Sequence, residues 1–314
     1  MKKKLSLNKS YIQVSLRILG ALIIVLSGCA PVEQNRFIYA TTVAPLELTQ
    51  VSNLEKLTPQ PTRPAYLPGT LVEYIAQSGD TLPAVAAHFN STVQEIRAAN
   101  EIIPQDVTTL PPGFPMQIPI YYESIWSSPF QVVPDIAFVY GPRDLDFDAA
   151  AFVQNHPGWL KGLRSVLGER TRVGGEIIQY VSEMFSISPK LLLAILEYQT
   201  GALSQEIELD SLSPYYLGYR DSFHQGLGQQ LIWLANYLNN GYYGWREGTL
   251  DQYKHSDGRL ERPDPWQNAA TAALQYYYSQ VMDRETYTVA ISDLGLLKTY
   301  TELFGDPWEG DLSL

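Results

Sequence analysis

The sequence of 314 residues holds a single cysteine, Cys29, and only four histidines. One cysteine excludes an intrachain disulfide and a cysteine-based zinc site. No cofactor is expected. Cations are also short: 22 Lys and Arg stand against 33 Asp and Glu, a formal charge of −11. Phosphate backbones would repel such a chain, which argues against nucleic acid as a partner. Five of the cations (Lys2, Lys3, Lys4, Lys9, Arg17) fall in the first 28 residues, which carry no acid. The remainder is therefore more acidic still. No apolar run is long enough to span a bilayer: Ile18 to Leu26 is nine residues and is bounded by Arg17 at its start, against about 20 for a spanning helix. What is present is 45% hydrophobic residues and 18% charged ones, enough for a sizeable core. Tyrosine is abundant at 21, with 6 tryptophans.

A cationic start, a short apolar run and Ser27-Gly28-Cys29 make the pattern of a secretory signal. Leu26-Ser27-Gly28-Cys29 resembles the lipobox of bacterial lipoproteins. That resemblance implies acylation of the Cys29 thiol and an extracytoplasmic protein anchored to a bacterial membrane by lipid. From Ala30 to about Pro68, prolines alternate with threonines and periodicity is weak. Proline fixes φ and removes donors, so residues 29–69 are expected to form a disordered, extended tether rather than a packed element.

Val72 to Ala76 reads as a short strand. In Gln77-Ser78-Gly79-Asp80-Thr81-Leu82, Asp80 is placed to cap a helix carrying Val85, Ala86 and Phe89. Ser91 and Thr92, with Gln94 and Glu95 three residues on, each offer a capping box for a second helix ending at Asn100. Pro111-Pro112-Gly113 turns the chain into a strand at Met116 to Pro119. This order, with Gly-Asp-Thr-Leu, a Phe, Ile-x-x-x-Asn and a final Ile-Pro, resembles the LysM domain. The resemblance spans 70–120 and implies binding of N-acetylglucosamine glycans, chiefly peptidoglycan. It places the groove at Ser78, Gly79, Asp80, Thr81, Leu82, Asn100, Ile102 and Ile103. Asp80 and Asn100 read more naturally as structural residues than as ligand contacts. His156, His224 and His255 are scattered, with no pair at metal-ligand spacing, so a lysostaphin-type zinc peptidase is not encoded.

The region 121–314 reads as mainly helical. Its start is Pro-rich, and Phe147 to Leu167 shows helical patches. Asp144, Asp146 and Asp148 alternate like a calcium loop, but Ala149 and Asn155 stand where that loop needs Gly and Glu, so a solvated turn is expected. Gly175 to Ser186 reads as an amphipathic helix. Ser188-Pro189 opens another, apolar on all sides, that ends at Gly201. Pro189 to Gly201 resembles the central helix of lytic transglycosylases and goose-type lysozymes. Gln225 to Gln230 and Asp264 to Tyr276 are similar to two further segments of that family.

In the family a glutamate on the central helix protonates the glycosidic oxygen. In the gapless match that position is Gln199, whose carboxamide has no proton to give. Glu197 lies two residues earlier, roughly 200° around the helix, and could serve only in a shifted register. Asn239 to Trp245 suits sugar stacking, although aromatics of this kind also build cores.

The expected fold class is α+β: a small βααβ LysM module and a helical lysozyme-like domain behind an N-terminal tether. The expected division is 1–28, 29–69, 70–120 and 121–314. Two functions follow. One is a wall-binding lipoprotein whose helical domain does not cleave. The other is an active murein glycosidase using Glu197.

Overall fold

The computed structural model describes residues 60–309. The signal, Cys29 and most of the tether lie outside the described residues. Within them the protein is α+β, with small antiparallel sheets and a mainly helical remainder.

The first sheet pairs β1 (Thr70–Ile75) with β2 (Pro115–Ile120), antiparallel, Thr70 opposite Ile120 and Tyr74 opposite Met116. Between them lie α1 (Leu82–His88) and α2 (Val93–Ala99). The apolar stripe of α1 and the inward residues of β2 meet in a core of Leu82, Val85, Phe89, Ile96, Ile118 and Ile120. Full burial of such a side chain contributes about 1.5–3 kcal/mol. Thr92 and Glu95 form the capping box of α2 reciprocally, leaving Ser91 outside it. The cap of α1 differs from expectation. Thr81, not Asp80, accepts from the free amide of Ala84 at 3.3 Å. Asp80 instead turns back and takes Tyr74 Oη at 2.6 Å and Gln77 N at 2.7 Å.

The helical region runs through α3 (Asp135–Phe138), α4 (Ala149–Gln154), the hairpin β3 (Arg164–Leu167) and β4 (Arg170–Val173), then α5 (Gly174–Phe185) and α6 (Pro189–Thr200). It continues with α7 (Leu227–Glu247), the short pair β5 (Tyr253–Lys254) and β6 (Leu260–Glu261), α8 (Ala269–Val281), α9 (Arg284–Ala290) and α10 (Leu296–Phe304). The helical patches expected up to Leu167 therefore resolve into α4, a 3₁₀ turn at Trp159–Gly162 and a strand. Helix α6 is central: Leu191 to Leu196 are all buried, and α3, α5 and α10 pack around it. Ser188 caps its start and Gly201 its end in the left-handed region. Helices α7 and α8 pack closely where Gly241 faces Ala273 and Tyr276. A Cβ there would stand 2.8 Å from Ala273 Cα.

Two expectations are corrected here. Asp144 is buried rather than solvated, accepts from Ser188 Oγ at 3.0 Å and lies 3.8 Å from Lys190 Nζ. Asp148 caps α4 through Ala151 N. These carboxylates serve helix starts. The tether was expected to stay clear of the fold. Residues 60–67 do lack helix and strand, yet Arg63 binds the buried Asp264 at 2.9 Å and its guanidinium lies over the Trp266 ring.

Candidate functional site

Two loops frame the expected glycan groove. Leu82 N donates to Thr108 O at 2.8 Å and Leu110 N to Asp80 O at 3.0 Å, so the β1–α1 loop lies along the α2–β2 loop. Ser78 and Gly79 are exposed at its mouth, Thr81 is half-buried, and Ile102 stands out 77% exposed. Leu82 and Ile103 are buried and shape the groove from below. Asn100 is committed: its Nδ2 donates to Ile96 O at 2.7 Å and Gln117 O at 2.6 Å, and its Oδ1 accepts Gln117 N at 2.9 Å. That clasp ties α2 to β2 and leaves little of the amide for a ligand. Burial pushes the Asp80 carboxyl above its usual range, opposed by the bonds from Tyr74 and Gln77 and by the charge of Arg246.

The helical region packs directly on this module. His88 stacks on Trp245 with ring centroids 3.6 Å apart and planes 6° from parallel. Its Nε2–H donates to Trp245 O at 2.8 Å, because a carbonyl can only accept. Burial holds the imidazole neutral, its pKa lowered to about 4. Arg262, itself buried, donates to Asn90 Oδ1 at 2.6 Å and Ala87 O at 2.5 Å. Phe89 meets the Trp266 ring edge-on at 4.7 Å.

At the end of α6 the two candidate acid positions face different partners, as their spacing requires. Glu197 Oε2 accepts Leu203 N at 2.6 Å and anchors the loop beyond Gly201. Gln199 Oε1 accepts Tyr277 Oη at 2.7 Å. Tyr277 also reaches Leu217 O, and the buried Gln230 holds the same loop through Leu217 N, Tyr219 O and His224 O. The Gln225–Gln230 segment thus supplies a loop clasp. Asp264 to Tyr276 likewise places structural residues: Asn268 caps α8 and donates to Val133 O at 2.6 Å. Of the stretch Asn239 to Trp245, Tyr242 and Trp245 are core, and Tyr243 alone among its aromatics is exposed. Among the described residues, no group of three His, Cys, Asp or Glu side chains could hold a metal ion. A cleft of about 420 Å³ opens beside β4 and α5, and it is lined by none of the candidate residues.

Sequence reasoning missed Arg246, whose guanidinium lies against Gly79, 167 positions earlier. A Cβ on Gly79 would overlap it. It also missed the Asp221–His224 pair at 2.6 Å. No local pattern announces a contact between residues so far apart as Gly79 and Arg246. Asp221 and His224, three apart, could have been noticed.

These features define a class: a protein with a LysM glycan-binding module seated on a helical region. Residues 74–119 match the LysM domain, whose members bind the N-acetylglucosamine glycans of peptidoglycan. Residues 131–314 match the LasA N-terminal domain, and the chain belongs to that family. No curated protein and no solved structure matches the chain.

Proposed function

We propose that this chain is an envelope lipoprotein, anchored through Cys29, that grips peptidoglycan with its LysM groove. Its domains divide at 70–120 and 121–314, and the lysozyme-like helical domain engages glycan without cleaving it. The observation that carries the binding is the pair of hydrogen-bonded loops with Ser78, Gly79 and Ile102 exposed between them. Backbone amides there suit acetamide groups, and apolar side chains suit the sugar face. One module of this size supports affinities of roughly millimolar to micromolar. The test is retention of the full chain on insoluble peptidoglycan; retention no better than that of a heat-denatured sample ends the reading. Cys29→Ser should release the chain from membranes under carbonate washing.

The proposed absence of cleavage rests on Gln199, which the resemblance to lytic transglycosylases sets at the position of their acid and which accepts from Tyr277 Oη. General acid catalysis supplies about 10²–10⁴-fold. Gln199→Glu should therefore raise muropeptide release from purified sacculi if the cleft lacks only its acid. The second reading is an active murein glycosidase using Glu197; the LasA N-terminal match suggests a peptidoglycan-related hydrolase role in general and does not bear on Glu197. Robust native release abolished by Glu197→Gln would establish it.

A further inference from the structure

Helix α7 sets an arginine beside the groove that no part of the LysM module supplies, and carries an exposed tyrosine one turn before it. Arg246 lies against Gly79, in the middle of the loop expected to hold the sugar. Gly79 is held to glycine by its φ of +83°, and the guanidinium lies where its Cβ would be. The arginine is pinned rather than wandering. Its Nη1 donates to Tyr242 Oη at 3.0 Å and stands 4.0 Å from Asp135 Oδ2. Its side chain is 30% exposed, and a guanidinium has five N–H groups, so donors beyond the Tyr242 bond are accessible. Tyr243, three residues earlier, shares that face of the helix. It is 50% exposed, whereas Tyr242 and Trp245 beside it are buried. The seam that sets this arrangement is rigid, built from the His88–Trp245 stack and the Arg262 bonds.

A saccharide needs an apolar face to stack on and fixed donors for its hydroxyl and acetamide oxygens. Arg246 at the groove edge and Tyr243 one turn away on the same helix face offer both, next to a groove already suited to N-acetylglucosamine. Asp80 and Asp135 flank the arginine and leave no surplus positive charge for an anion, so the ligand is a neutral stretch of glycan rather than a carboxylate or phosphate.

We propose that the glycan site continues from the LysM loops onto this face of α7. Arg246 donates to oxygens of the sugar seated at Gly79, and Tyr243 stacks on a neighbouring sugar of the same N-acetylglucosamine-containing strand. The proposal rests on the LysM reading above and assigns part of the site to the helical region.

The experiment is calorimetric titration of the full chain with chitotriose and chitopentaose. Wild type should bind both, the pentaose more tightly. Tyr243→Ala should weaken the pentaose about tenfold and the triose much less, with an unchanged unfolding midpoint. Loss of one hydrogen bond donated by a charged guanidinium predicts about ten- to hundredfold weakening for Arg246→Gln. The change in length preference is the decisive readout, since general loosening of the fold would weaken both sugars alike. No binding by wild type would sink the LysM reading itself. Wild-type binding that Ile102→Ser weakens but Tyr243→Ala and Arg246→Gln leave unchanged would overturn only the α7 extension. Tighter binding by Arg246→Gln would also overturn it, showing that the arginine obstructs the groove. If Arg246→Gln fails to fold, Tyr243→Ala decides alone.

Discussion

The LysM module and the helical region hold their polar groups in opposite ways. In the module the shaping bonds join near neighbours: Asp80 to Tyr74 and Gln77, Thr92 to Glu95, Asn100 to Ile96 and Gln117. In the helical region, beside local bonds such as Asp148 to Ala151, side-chain amides join distant residues. Gln199 meets Tyr277, Gln267 reaches Ser128 and Phe130, and Asn268 reaches Val133. The lesson is that a module of some 50 residues carries its architecture locally, while a chain that short buries a smaller share of its surface than a larger domain does. Here it gains further burial from Trp245, Trp266 and Arg262 across the seam.

The sharpest way to break that comparison is at Trp245. The ring is buried, stacks on His88 and donates to Gln267 O at 2.9 Å. Trp245→Ala should cost about 3–5 kcal/mol. Because the two regions share this contact, urea should unfold them in one transition. Hydrogen exchange at β1 and β2 is the check. If those amides stay protected while the helices open, the module stands on its own and the further burial is dispensable.

His88 tests the same seam through pH. Its folded value is lowered to about 4 by burial, with the charge of Arg262 acting in the same direction and the bond to Trp245 O opposing. An unfolded histidine titrates near 6.5. Between those values the unfolded chain binds a proton that the native state refuses, so stability rises with pH and is lost as pH falls from about 6.5 to about 4. At roughly 1.4 kcal/mol per pH unit the loss reaches about 3 kcal/mol. His88→Gln should lose less stability over that interval than wild type by about this amount. Equal losses in the two proteins would show that the imidazole is not sealed in the seam.

The same contrast explains what could be read from the sequence. The LysM order was legible because its landmarks act within a few residues, and α6 was legible from Ser188-Pro189, an unbroken apolar run and Gly201. The hairpin at Arg164–Val173 was hidden: it is only four residues a side, and its outward residues carry arginines. Asn239 to Trp245 could not be divided between core and surface from the sequence, because aromatic composition does not say which face is buried. In the helix, Tyr242 and Trp245 turn inward and Tyr243 outward. Glu197 and Gln199 were separable by helix period, but that Gln199 would be held by Tyr277, 78 residues on, was not.

Asn100 sharpens the local side of the comparison. Its amide makes its three bonds within 17 residues, and it is 9% exposed. Asn100→Ala would strand backbone groups of Ile96 and Gln117, at about 1–3 kcal/mol for a buried unsatisfied group. The expected outcome is a less stable module whose affinity for chitopentaose, measured where it remains folded, is unchanged. Weaker binding without loss of stability would assign Asn100 to the ligand.

The smallest effect separates two adjacent residues. Thr81 Oγ1 accepts Ala84 N, whereas the Asp80 carboxylate accepts from Tyr74 and Gln77. A helix cap contributes typically about 1 kcal/mol against alanine, so Thr81→Ala should lower stability by about that much. Asp80→Asn keeps an acceptor oxygen for Tyr74 Oη and Gln77 N, and it relieves the burial of a carboxyl already pushed above its usual range. The sign follows from that direction: a raised folded value means that native stability falls as pH climbs through the Asp80 titration, and asparagine removes this loss. Asp80→Asn should therefore cost little at neutral pH, and less there than in acid. Urea midpoints of the two variants decide the matter. A larger loss in Asp80→Asn than in Thr81→Ala at pH 7 would return the cap of α1 to Asp80, where the sequence alone had placed it.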